Sequence, residues 1–169
     1  MIKRINKIRV LGVDPGTATT GWAVLEEKGG KIGHIAFGQI STSKKDPEDA
    51  RLWEISQDLE EIIKKYKPHE ASVESLFFFK NQKTIIQIGQ ARGAILLTLR
   101  KNQVKISSYT PLQIKQALTG YGRAGKRQMQ QMTKSVLRLK SAPSPDDVSD
   151  AIAAALCHLQ SRKIINLTS

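Results

Sequence analysis

A single cysteine, Cys157, stands among the 169 residues of this chain. Neither a disulfide framework nor a cysteine-based zinc site is therefore available, which suits a reducing compartment. Packing inside a helix is the expected role of that thiol. Acids are also scarce: 15 Asp plus Glu stand against 27 Lys plus Arg, a net charge of +12. Such a balance favours polyanionic partners, nucleic acid first. Long apolar runs are missing too. Nothing approaches the roughly 20 residues that span a bilayer, and no basic helix has an apolar face bare enough for a membrane surface. The basic start, Met1 to Lys7, runs into a turn instead of a small-residue cleavage site, so no signal peptide is expected and a soluble, cytoplasmic protein is. His34, His69 and His158 are isolated in spacing and read as surface or packing residues.

What is present fits one domain, residues 1–169 with a core over about 8–163, large enough to bury about 70% of its unfolded surface. Residues 8–14, 20–27 and 31–40 read as three strands, the last two joined by Lys28-Gly29-Gly30, a hairpin signal. Leu52, Ile55, Leu59, Ile62 and Ile63 recur at helical spacing until Lys67-Pro68. A short strand ending at Glu74, a helix over about 82–101 and a strand over 104–107 follow. This alternation predicts parallel pairing, so the fold expected is α/β: a five-stranded mixed sheet, an antiparallel meander and then parallel strands, flanked by helices. Beyond it come a short helix over 111–118, a glycine-rich basic loop over 120–126, a helix through about Leu139, a Pro/Ser break and a last helix. Ser41 to Asp46 is the one linker-like stretch.

Four acids occupy element ends. Asp14 leaves an apolar strand at the Pro15-Gly16 turn, and Glu74 ends another strand. Asp147 and Asp150 lie three apart in the first turn of the last helix and share a face, while Val148, Ile152 and Leu156 turn to the core. Two ordinary alternatives stand beside this: Asp14 as a turn aspartate bonding its own backbone, and Asp146 and Asp147 as helix-capping carboxylates favoured by the macrodipole. Four acids gathered in one basic protein need neutralisation, however, and all-oxygen ligation suits Mg²⁺ or Mn²⁺. Two such ions serve phosphodiester cleavage, so a nuclease using metal-activated water is expected.

Lys115, Arg123, Lys126 and Arg127 bracket the loop Gly120-Tyr121-Gly122-Arg123-Ala124-Gly125, whose glycines allow backbone amides close to phosphates. Gly120, Gly125 and Lys126 also match a Walker A spacing, but Arg127 stands where that motif needs Ser or Thr. Phe77-Phe78-Phe79 follows Glu74, and at least one of the three is expected near the acids, where it would stack on an unpaired base. Gly89-Gln90-Ala91-Arg92-Gly93, set among apolar residues, predicts close helix packing, internal or across a two-fold dimer.

Taken in order, several segments resemble the RuvC family of Holliday-junction resolvases, in the RNase H-like superfamily. They are Gly12-Val13-Asp14-Pro15-Gly16 with Thr20-Gly21, Val73-Glu74 with Phe77 and Lys80-Asn81, and Gly89-Gln90-Ala91-Arg92-Gly93. Tyr109-Thr110-Pro111 with Lys115 and Asp147-Val148-Ser149-Asp150-Ala151 complete the set. The resemblance implies a homodimer that resolves four-way DNA junctions by paired symmetric nicks, with two divalent metals per site, working with the RuvA and RuvB branch-migration machinery. It implies Asp14, Glu74, Asp147 and Asp150 as metal-binding acids, Phe77 as a junction-stacking aromatic, and Lys115 and Lys126 as phosphate contacts. Two other readings share parts of the pattern. A YqgF-like RNA-processing nuclease has a similar first strand, although Tyr109, Pro111, Lys115 and the basic loop argue against it. An actin-like kinase or ATPase has a similar Asp-Pro-Gly-Thr segment but generally needs two such domains.

Overall fold

The computed structural model describes residues 7–76 and 82–168, and their side chains except at 82–83 and 163–168. Three strands open the fold: β1 (Lys7–Asp14), β2 (Thr19–Lys28) and β3 (Lys31–Ser41). Helix α1 (Glu48–Tyr66) leads to β4 (Glu70–Glu74), α2 (Gln82–Lys101) to β5 (Lys105–Tyr109), and three helices follow: α3 (Pro111–Thr119), α4 (Lys126–Leu137) and α5 (Asp146–Thr168). The five strands form one sheet in the order β3-β2-β1-β4-β5. β1 pairs antiparallel with β2 and parallel with β4, so the meander and the crossover strands expected from the sequence meet at β1. The β2–β3 turn is made by Gly29 and Gly30, both at positive φ, the conformation that a two-residue hairpin requires.

Two cores, one on each face of the sheet, follow from period-2 alternation. Leu11 and Val13 of β1 face α1 and α2, where Ile55, Leu59, Ile95 and Leu99 are buried. Ile8 and Val10 face the other side, with Ile114, Met129, Ile152 and Leu156 of α3, α4 and α5. The same parity puts Gly12, Asp14, Gly21, Ser72 and Glu74 on the α5 side.

Helix α5 is the central element. Every residue from Ala151 to Leu159 is buried, because the sheet lies on one flank and α3 and α4 on the other. Small residues bring its backbone unusually close. A Cβ on Gly12 would fall 2.0 Å from the Ala151 carbonyl oxygen, and one on Gly21 only 1.9 Å from that of Asp147. Ser72 donates its hydroxyl to the Ala154 carbonyl oxygen at 2.7 Å. Farther along, Glu70 accepts from His158 Nε2 at 2.6 Å and from Arg162 Nε at 2.9 Å, and the Tyr109 hydroxyl bonds His158 Nδ1 at 2.9 Å.

Some boundaries differ from expectation for local reasons. α4 ends at Leu137, because Arg138 takes a left-handed conformation as its C-cap. Lys126 is the first residue of α4 rather than the last of the basic loop, since Gly125 is the N-cap. The stretch after β3 is no free linker. Thr42 N–H donates to the Ala18 carbonyl at 3.1 Å and the Thr42 hydroxyl to that of Thr17 at 2.5 Å, strapping this segment to the turn after Asp14.

The contact between α5 and the sheet makes a direct prediction. Gly12→Ala or Gly21→Ala should destabilise the protein by about 1 to 3 kcal/mol or more, the scale of overpacking a filled core. Gly33→Ala, with open space around it, should stay within about 0.5 kcal/mol of wild type. Urea denaturation followed by circular dichroism would read both.

Candidate active site

Asp14 leaves the C-terminal end of β1, and Glu74 that of its parallel neighbour β4. The register Val13↔Val73 sets the two carboxylates side by side. The two carboxyl groups lie within hydrogen-bonding reach of each other. Burial, and then the negative charges of Glu74 and Asp150, push the Asp14 carboxyl up to about 9. Burial also raises Glu74 and Asp150; nearby Lys115 offsets part of the effect on both, and Lys126 part of it on Asp150.

The first turn of α5 completes the group. Asp147 faces a groove of about 940 Å³ whose walls include Asp14, Glu74 and Thr19. The Thr19 hydroxyl donates to Asp147 Oδ2 and fixes that carboxylate against the end of β2. Asp150 faces a smaller hollow of about 210 Å³ with Glu74, Lys115 and Lys126. Glu74 thus stands between the two aspartates. Among the described residues no three Asp, Glu, His or Cys side chains close up as a ready ligand cage; the acids form a looser cluster, as mutually repelling charges do.

The donor set and its charge nonetheless fit a hard divalent cation. All four groups offer oxygen, and the burial and like-charge crowding that push the Asp14 carboxyl up are what a bound cation would relieve. Asp146, one residue before Asp147, plays a different part. It pairs with Lys126 Nζ at 2.5 Å and accepts from Gln130 Nε2 at 2.9 Å, as an exposed tie between the start of α5 and α4. The pair raises the Lys126 ammonium above its ordinary value.

Lys115 is half-buried beside the acids, Lys126 is exposed at the rim of the smaller hollow, and Arg123 is exposed on the loop before α4. Phe77, with Phe78, Phe79, Lys80 and Asn81, lies outside the described residues. Sequence reasoning missed several supports of the site. Arg92 of α2 donates from Nε to the Glu74 backbone carbonyl at 3.1 Å and from Nη2 to Ser108 Oγ at 2.9 Å, holding the end of β4. Thr19 carried no signal of its own, and Gly21 stood in the sequence only as part of the Thr20-Gly21 pair of the family resemblance. Lys44 and Arg51 line the larger groove, although neither carries a local motif.

Strand-edge carboxylates facing the acidic start of a helix, on a mixed sheet of order β3-β2-β1-β4-β5, define an RNase H-like fold with a carboxylate site. Its relatives narrow the class. The profile of the family described as "Crossover junction endodeoxyribonuclease RuvC" matches residues 10–158. A protein of that name from Petrotoga mobilis is 52% identical over 149 residues, 88% of this chain and 91% of the relative. One from Caldanaerobacter subterraneus is 48% identical over 158 residues, 94% and 96% of the two chains. Among solved structures, Thermus thermophilus RuvC in complex with Holliday junction substrate superposes with a TM-score of 0.88 at 32% identity, covering 93% of this chain and 96% of that one. The chain belongs to the RuvC family of crossover junction endodeoxyribonucleases. That membership leaves the YqgF-like and actin-like readings without support.

The acid cluster has a stability signature. Asp14, Glu74 and Asp150 all titrate higher in the folded state than as free side chains. Their contribution is therefore fully present below the unfolded values, near 4, and is lost as pH rises through the folded ones, near 9 for Asp14. In EDTA, the melting temperature should fall between pH 5 and pH 8.5, and Asp14→Asn should melt higher than wild type at pH 8.5 with a flatter profile. A wild-type profile that rises over this range would contradict the electrostatic account.

Proposed function

We propose that this protein cuts four-way DNA junctions, placing paired symmetric nicks in strands of like polarity during recombination and repair. The placement of Asp14, Glu74, Asp147 and Asp150 along two adjoining hollows that share Glu74 and are lined by basic side chains carries the reading. Hydrolysis adds water across one P–O bond of the backbone, leaving a phosphate end and a hydroxyl end, with no covalent enzyme intermediate.

The four carboxylates would hold two Mg²⁺ ions, with Mn²⁺ able to substitute. When bound there, they would supply Lewis-acid stabilisation of the developing charge in phosphodiester hydrolysis. The rest is the work of the chain itself. Thr19 fixes Asp147 and Arg92 fixes the Glu74 backbone, so the acids are oriented before substrate arrives. Lys115, Lys126 and Arg123 hold backbone phosphates beside the cut. When DNA approaches, its phosphates compete with Asp146 for Lys126, whose side chain is mostly exposed in this pair. Phe77 stacks on a base at the opened junction centre.

Cutting two strands symmetrically calls for a two-fold pair of sites, and α2 offers the contact. Ile86 and Leu97 are 61% and 71% exposed. Between them Gly93 has no atom near its missing side chain. A homodimer across this face would cover the apolar residues and use the open space at Gly93 for close helix packing. The protein works in the cytoplasm with the RuvA and RuvB branch-migration machinery.

Asp14→Asn, Glu74→Gln, Asp147→Asn and Asp150→Asn should each lower cleavage of a synthetic four-way junction by about a hundredfold or more while leaving junction binding intact. Loss of binding equal to the loss of cutting would contradict these roles. Lys115→Ala should weaken binding and flatten its salt dependence. Leu97→Asp should convert a dimer to a monomer in sedimentation velocity; a wild-type monomer at micromolar concentration would overturn the two-fold arrangement.

A further inference from the structure

The larger groove does not end at the acids. Beyond Asp14 and Asp147 its wall is formed by Lys44, from the segment after β3, and Arg51, from the first turns of α1. Lys44 is exposed and has no ion-pair partner among the described residues. Arg51 is half-buried and spends only Nε, donating to Thr42 Oγ1 at 2.9 Å. Its two terminal nitrogens take no partner among the described residues.

That single bond has a geometric use. Thr42 is itself tied to the Thr17 and Ala18 carbonyls, so the Arg51 guanidinium is held to the turn that follows Asp14. A guanidinium anchored by Nε keeps a pair of donors in a fixed plane, the arrangement that suits two oxygens of one phosphate. Lys44 adds an exposed point charge to the same wall.

The two hollows meet at Glu74 and Pro111, which line both. Lys115 and Lys126 stand in the smaller one, with Asp150; Lys44 and Arg51 stand in the larger, with Asp14 and Asp147. The acids therefore lie between two separate groups of cations. A polyanionic strand crossing them leaves one group as it meets the other.

We propose that Lys44 and Arg51 bind backbone phosphates of the cut strand on the side of the scissile linkage opposite Lys115 and Lys126. This rests on the nuclease reading for which linkage is cut, but its test reads binding alone.

The test measures anisotropy of a labelled four-way DNA junction with the full chain in EDTA, across a KCl series. Lys44→Ala and Arg51→Gln should each lower the slope of log K against log salt by about 0.7 to 0.9, and the double variant by about twice that. Junctions carrying a single methylphosphonate on either side of the cleavage point then locate the contact. Wild type should lose affinity for neutral positions on both sides. The double variant should be indifferent on one side only, and Lys115→Ala on the other.

An unchanged slope in a double variant that melts like wild type would overturn the proposal. So would indifference at the same phosphates that Lys115→Ala makes silent. Should the double variant fail to fold, Lys44→Ala decides alone, since that exposed side chain supports nothing. Failure of wild type to cut the unmodified junction in Mg²⁺ would instead sink the nuclease reading and leave the salt slopes standing.

Discussion

The close approach of α5 to β1 and β2 is the constraint on which the site depends. With glycine at 12 and 21, the helix backbone comes within a distance that any side chain there would block. Ser72 and the Glu70–His158–Arg162 cluster fasten the rest of the helix in register. Because an α-helix is stiff, fixing it along its length fixes its first turn, and the first turn carries Asp147 and Asp150. Acids from the two halves of the chain meet because small residues let two backbones nearly touch.

This placement works against stability at one end and for it at the other. At the start of α5 the acids are crowded and partly desolvated, so charging them disfavours the fold. Near its far end Glu70 is also buried, which by itself would raise its carboxyl, yet bonds from His158 and Arg162 hold it below its ordinary value. The satisfied carboxylate anchors the helix, and the crowded ones gather at its first turn, beside Lys115 and Lys126. Active sites commonly combine a strained group with a support of this kind.

Much of this was legible in the sequence. Hydrophobic patterning located the strands, with Asp14 at the end of one because Pro15-Gly16 breaks it and Glu74 at the end of the short apolar run Ala71 to Val73. The spacing of Asp147 and Asp150 placed both at the start of a helix, although the structure turns them toward different hollows with Glu74 between. Longer-range placement was not legible. Nothing local to Thr19 announces that it will bond Asp147, 128 residues away. Arg92 lay in a motif read as helix packing, and its bond to the Glu74 carbonyl depends on how α2 crosses the sheet edge. Lys44 and Arg51 looked like ordinary surface charge because their significance comes from the groove, which only the packed fold creates. Ser41 to Asp46 read as a linker for the same reason.

A manganese-soaked crystal examined by anomalous scattering tests the central claim most directly. At pH 8 the account predicts strong peaks among the carboxylates of Asp14, Glu74, Asp147 and Asp150, two of them about 3.5 to 4 Å apart. Manganese bound only elsewhere, with these four carboxylates still apart, would contradict it.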